Sequence, residues 1–174
     1  MQMTREDAWA LVTEWTASES LRKHMLAVEA AVRGYARQFG EDEEAWGITA
    51  LLHDFDYERF PDQENHPFRG VEELQRRRCP EWLTRAILSH AEYSGVARES
   101  KLERTLYACD EMSGFVTAAA LVRPSKSILD LEAASVMKPA SSSQAKSVFS
   151  SRLSRVTPVI SIACDRIARI IHSG

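Results

Sequence analysis

Five histidines are spread along the chain: His24, His53, His66, His90 and His172. An imidazole beside carboxylates can ligate a metal or relay a proton. His172 lies two residues from the C-terminal end and is expected to fray, so it is set aside. The others fall at telling positions. His24 comes three residues after Leu21 and four before Val28, in phase with the apolar stripe Leu21, Met25, Val28, Val32 and Tyr35. Trp46, Ala50 and His53 share a helix face, with Asp54 about 100° around from His53. Leu83, Ile87 and His90 share another, and so do Leu102, Leu106 and Asp110. One histidine on an apolar face is ordinarily a satisfied core histidine. Four helices that each aim a His or Asp inward are harder to explain by packing, because burying an unpaired carboxylate costs several kcal/mol. A shared metal removes that cost: it keeps the carboxylates ionised and takes the imidazole nitrogens as ligands. Mixed His and carboxylate donors suit Fe, Mn, Zn, Co or Ni rather than a thiolate-type structural zinc site.

The elements that must position these residues read as helices at a 3.6-residue period, with no clean alternating strand. Thr4-Arg5-Glu6-Asp7 opens the first helix. Thr16-Ala17-Ser18-Glu19 is a capping box for a second helix that runs to Phe39 and stops at Gly40. The acidic start Glu41 to Glu44 predicts a third helix ending near Asp54. Residues 55–65 are polar and read as a loop. Pro67 at a first helical position predicts a helix to Arg78, and Pro80 opens another to about Glu92. A longer helix is expected from Lys101 to Leu121, ended by Arg123-Pro124. A short helix around Ile128 to Val136 follows. Ile160, Ala163, Ile167, Ile170 and Ile171 form the apolar face of a last helix expected to pack on the bundle.

Composition bounds the function. The chain has 174 residues, 44% hydrophobic and 27% charged, which suits one domain with a real core. The longest uncharged run, Met112 to Val122, is 11 residues, where a membrane span needs roughly 20. No secretory signal is expected from the acidic N-terminus. Cys79, Cys109 and Cys164 stand far apart and give neither a disulfide framework nor a zinc knuckle, so a reducing, cytoplasmic setting is expected. The net charge of −3 argues against general nucleic-acid binding. The charge is uneven: residues 1–138 hold 17 basic and 24 acidic side chains, and residues 139–174 hold 5 and 1.

The order His24, the His53-Asp54 doublet, then Asp110 resembles the HD-domain superfamily of metal-dependent phosphohydrolases, all-α proteins defined by H…HD…D on successive helices. His66 and His90, between the doublet and the last Asp, resemble its six-ligand, two-metal branch. Local context agrees: Leu51-Leu52-His53-Asp54, Asn65-His66-Pro67-Phe68-Arg69-Gly70 as an H-P-x-x-G stretch, Ile87-Leu88-Ser89-His90 and Ala108-Cys109-Asp110-Glu111. Ala120-Leu121-Val122-Arg123-Pro124 and Ser135-Val136-Met137-Lys138 are similar to bacterial HDIG-type hydrolases. Phe55-Asp56 follows the doublet where the name-giving motif has Ile-Gly. The Gly-Tyr-Pro signature of cyclic-dinucleotide phosphodiesterases is absent from the sequence.

The resemblance implies an all-α HD-domain helical bundle with a C-terminal helical extension. The whole of 1–174 would be a single domain, with the HD core at 18–123 and the extension at 124–174. It implies two divalent metals per chain. His24, His53, Asp54 and Asp110 would hold the first, His66 and His90 the second, with Asp54 bridging them at the catalytic centre. A water between the metals would attack a phosphoester or phosphoanhydride of a small molecule, such as a nucleotide. Two other functions use the same residues: a di-iron oxygenase, and a non-catalytic metal- or nucleotide-binding module.

Arg123, Lys126 and Lys138 are the candidate substrate phosphate contacts, with ordinary surface ion pairing as the competing reading. Asp56, Glu58 and Asp62 read as a solvated acidic loop. An orienting partner for a ligand, or a proton shuttle, is the alternative for one of them. Glu111 is expected to cap or orient a neighbour. Arg76-Arg77-Arg78 reads as a structural basic run at a helix C-terminus, and Trp9, Trp15, Trp46 and Trp82 read as core. The expected partner is a small phosphorylated substrate, with no nucleic acid and no membrane. A homo-oligomer is open.

Overall fold

The computed structural model describes residues 3–121 and 124–125. Among these residues every regular element is helical: α1 (Arg5–Trp15), α2 (Glu19–Phe39), α3 (Glu43–Leu51), α4 (Phe68–Arg76), α5 (Glu81–His90) and α6 (Lys101–Leu121), with a 3₁₀ turn at Glu92–Ser94. The expected all-α class holds. The compact unit of interest ends at Glu111, within α6. Arg123, Lys126 and Lys138, the short helix at 128–136 and the last helix lie outside the described residues.

α1, α2 and α3 each start where a side chain satisfies a free amide. The Thr4 hydroxyl accepts from Asp7 N (3.1 Å) while Asp7 Oδ2 accepts from Thr4 N (3.0 Å), a reciprocal capping box. For α2 the cap is Ser18, not Thr16: Ser18 Oγ accepts from Leu21 N. Thr16 instead closes α1, its amide returning to Val12 O. Its buried hydroxyl donates to Phe55 O at 2.9 Å, which ties the end of α1 to the segment after α3. Gly40 ends α2 at φ 69°, a conformation that costs glycine nothing. Asp42 caps α3 through Ala45 N.

Three boundaries differ from expectation. α3 stops at Leu51, so His53 and Asp54 sit in the turns just past it. There the Ala50 carbonyl accepts from both the His53 amide (3.4 Å) and the His53 ring (2.7 Å), so the chain tightens into an i to i+3 turn. α4 begins after Pro67, which is its N-cap, and ends at Arg76. α5 ends at His90 because Ala91 turns to an extended conformation (φ −87°, ψ 120°).

The core joins α1 through α5. Leu11, Met25, Leu51, Leu52, Phe55, Leu74 and Ile87 are fully buried, each contributing roughly 1.5–3 kcal/mol relative to exposure. α3 is central, packing on α1, α2 and α5, and its residues from Trp46 to Leu51 are all buried. Trp46 is core, and Trp9 and Trp15 pack partly buried against it. Trp82 is not core. It is 45% exposed because Leu83, Ala86 and Ile87 take the inner face of α5 and turn it outward. The basic run at the end of α4 is structural as expected: Arg76 and Arg77 both pair with Glu73 one turn back.

Candidate metal centre

Six side chains converge from α2, the turns after α3, the segment before α4, α5 and α6. His24 projects from the second turn of α2. His53 and Asp54 follow α3, His66 precedes α4, His90 ends α5, and Asp110 lies midway along α6. They fall into two groups that share Asp54: His24, His53, Asp54 and Asp110, and Asp54, His66 and His90. Within each group the donor atoms lie within 4.8 Å of one another.

In the first group His24 Nε2 is 3.1 Å from Asp110 Oδ1 and 3.2 Å from His53 Nε2. Asp54 turns Oδ2 toward His53 Nε2 (3.4 Å) and His24 Nε2 (3.5 Å). Its other oxygen, Oδ1, faces His90 Nε2 (3.3 Å) and His66 Nε2 (3.4 Å). One carboxylate therefore presents one oxygen to each group.

The outer edges of the rings fix which nitrogen faces inward. His53 Nδ1 lies 2.7 Å from Ala50 O and His90 Nδ1 lies 2.5 Å from Ile87 O. A carbonyl only accepts, so in both rings Nδ1 carries a proton, and each ring, when neutral, aims its Nε2 lone pair into the site. His66 Nδ1 is held in the same sense by Asp56 Oδ1 at 2.7 Å.

The charges favour a cation. Burial opposes protonation of His53, but Asp54 and Asp110 outweigh it and raise its pKa well above the usual imidazole value. His24 is raised as well, with burial opposed by Asp110 and Asp54. Burial likewise works against ionised Asp54 and Asp110. His53 and His24 prevail, and hold Asp54 well below and Asp110 below the ordinary carboxylate range. Two Nε2 atoms 3.2 Å apart among ionised carboxylates demand positive charge between them, supplied by protons or by a metal ion. Imidazole and carboxylate donors at this spacing fit a divalent cation. Cys109, next to Asp110, is buried with its thiol pushed up to about 12 by desolvation, and is no part of the donor set.

Sequence reasoning named all six converging residues and misjudged one neighbour. Asp56 is not solvated: it is 1% exposed and bonded by both oxygens, to His66 Nδ1 and to Gly70 N (each 2.7 Å). Glu58 and Asp62 stay at the surface, where they accept from Ser18 N and from the amides of Glu64 and Asn65. Gly70 was the available signal. A glycine in the first turn of a helix is a poor helix former, and this one makes room: a Cβ there would lie 2.8 Å from Asp56 Cγ.

Beside the second group opens a cavity of about 410 Å³. Its wall includes Tyr57, Tyr93, Tyr107, Glu92 and Glu111. Tyr57 meets the His66 ring edge-on at 5.1 Å, and Tyr107 donates to Glu92 at 2.9 Å. Glu111 is exposed on this wall.

Comparisons with curated proteins and with solved structures gave no match. The family model of the HD domain matches residues 21–114, a span that holds every residue from His24 to Asp110 just described. That span exceeds half of the 174-residue chain, and the chain belongs to the HD domain family, which includes metal-dependent hydrolases.

Proposed function

We propose that this chain is a metal-dependent phosphohydrolase that cleaves a phosphoester or phosphoanhydride of a small molecule. The observation that carries the reading is Asp54, whose two oxygens face two separate sets of imidazoles. A carboxylate so placed suits a pair of divalent ions, with His24, His53, Asp54 and Asp110 holding one and Asp54, His66 and His90 the other. Ions bound there would supply Lewis acidity and a water acidified toward neutrality. The protein's own part is to hold the donors rigidly. Nδ1 of His53 and His90 is pinned to backbone, so neither ring can rotate away when charge develops on a bound substrate. The adjoining cavity, about 410 Å³, is near the low end of ligand-pocket size and suits a small substrate rather than a polymer. Its tyrosines offer apolar faces to the organic part of such a substrate.

The test is phosphate release from a panel of nucleotides, sugar phosphates and p-nitrophenyl phosphate, using protein reconstituted in turn with Mn, Fe, Co, Ni and Zn. Release is expected with at least one metal, and is expected to vanish on chelation and in His53→Ala. Full activity of metal-free protein would contradict the reading. Oxygen consumption by the iron form without phosphate release would replace it with oxygenase chemistry.

A further inference from the structure

His53 and His90 are held by neutral carbonyls three residues back, Ala50 O near the end of α3 and Ile87 O in α5. His66 has no such support, because it lies in the segment before α4 and its own amide reaches back to Asp62 O. Its Nδ1 is held by a carboxylate ten residues upstream, Asp56 Oδ1, at 2.7 Å. The other oxygen of Asp56 accepts from Gly70 N, in the first turn of α4. No side chain at the N-cap serves α4, so Asp56 does that work from outside the helix. It is 1% exposed, and each of its oxygens accepts one hydrogen bond. The arrangement depends on glycine at 70, where a Cβ would lie 2.9 Å from Asp56 Oδ2 and 3.0 Å from the Phe55 ring.

We infer that Asp56 is the positioning residue that sets occupancy of the second metal position. The inference rests on the two-metal reading above. An anionic partner on Nδ1 fixes the tautomer, orients the ring and makes Nε2 a stronger donor. The second group gains most from this, since it offers three protein donors against four in the first. Loss of the Asp56 charge is therefore expected to cost the second ion and spare the first. Asn at 56 cannot substitute. Its amide has one acceptor, while His66 Nδ1–H and Gly70 N–H both need one; whichever way it turns, an NH₂ meets an N–H.

The test is metal titration of wild type and Asp56→Asn by equilibrium dialysis with elemental analysis, using Mn or Co alone. Wild type is expected to bind two equivalents. Asp56→Asn is expected to keep the first with unchanged affinity and to bind the second about 10- to 100-fold more weakly. Two equivalents of unchanged affinity in a folded Asp56→Asn would overturn the role of Asp56 and leave the two-metal reading standing. A wild type that binds one equivalent would overturn both. Should the variant fail to fold, nitrogen-15 NMR of wild-type metal-free protein decides. His66 is expected with a proton on Nδ1 in a strong hydrogen bond, and a neutral ring protonated on Nε2 would overturn the inference.

Discussion

Glu29, buried, and Asp54, half-buried, are acids in the same helical unit whose partners differ in kind. Glu29, 4% exposed on α2, accepts from Arg5 at 2.7 and 2.9 Å and from Arg33 at 2.9 Å. Both partners are permanent cations, and Gly47 on α3 makes way for Arg33, since a Cβ there would come within 2.3 Å of Nε. Asp54 is surrounded by His24, His53, His66 and His90, whose charge is optional. The Glu29 cluster is complete as it stands and locks α1, α2 and α3 together. The Asp54 cluster is balanced only when protons or a cation enter. A structural acid recruits arginine; a functional one recruits groups that can hand their place to something else.

The sharpest way to break this comparison is to remove each acid in turn. Asp54→Ala is expected to lose metal in both positions and to lower hydrolysis by at least about 10³-fold, the scale set by removing a group that stabilises transition-state charge. Metal content by elemental analysis checks it. Glu29→Ala is expected to keep both metals and to lose about 3 kcal/mol of stability, by the measure of a broken buried pair. A denaturant midpoint shift with unchanged metal content is the result that supports the contrast. Metal loss in Glu29→Ala would erase it.

Metal removal comes next. A metal bound only by the folded chain, at one hundred times its dissociation constant, adds about 2.7 kcal/mol per site. Chelation should lower the melting temperature by several degrees in wild type and by nothing in Asp54→Ala. Proton release follows from the raised pKa of His53. In metal-free protein near neutral pH this ring keeps its proton, and a metal needs the neutral form. Binding should release protons and tighten as pH rises, which calorimetry in buffers of different ionisation enthalpy can read. Affinity that falls as pH rises from 6 to 8 would contradict the assignment. The smallest effect is expected from Gly47→Ala. Arg33 must shift to admit the methyl group, at a cost of about 1 kcal/mol, with metal content unchanged.

His24, His90 and Asp110 were legible because helical phase survives in sequence, whereas His66, in the segment before α4, was legible only through the H-P-x-x-G resemblance. His90 lies in register with Leu83 and Ile87, and Asp110 in register with Leu102 and Leu106, and the fold keeps that order. Other features depended on contacts remote in sequence. Asp56 reads as solvated when taken with its polar neighbours; only pairing with Gly70, fourteen residues on, buries it. Trp82 reads as core by residue type, yet the stronger apolar stripe of α5 turns it to the surface. The end of α3 was hidden because Leu51-Leu52-His53-Asp54 is compatible with further helix, yet at Ala50 the chain tightens into a turn that the His53 ring also bonds. Thr16 and Ser18 are both good caps. Thr16 is consumed by Phe55 O, a choice made by tertiary structure and not by local preference.

The central claim is that Asp54 divides two metal positions, and metal content per chain tests it most directly. Protein purified without chelator or histidine tag would be compared with a His66→Ala, His90→Ala double variant by elemental analysis. The account predicts two equivalents in wild type and one in the variant, because His24, His53, Asp54 and Asp110 remain intact. Two equivalents in both, or none in wild type after reconstitution, would contradict it.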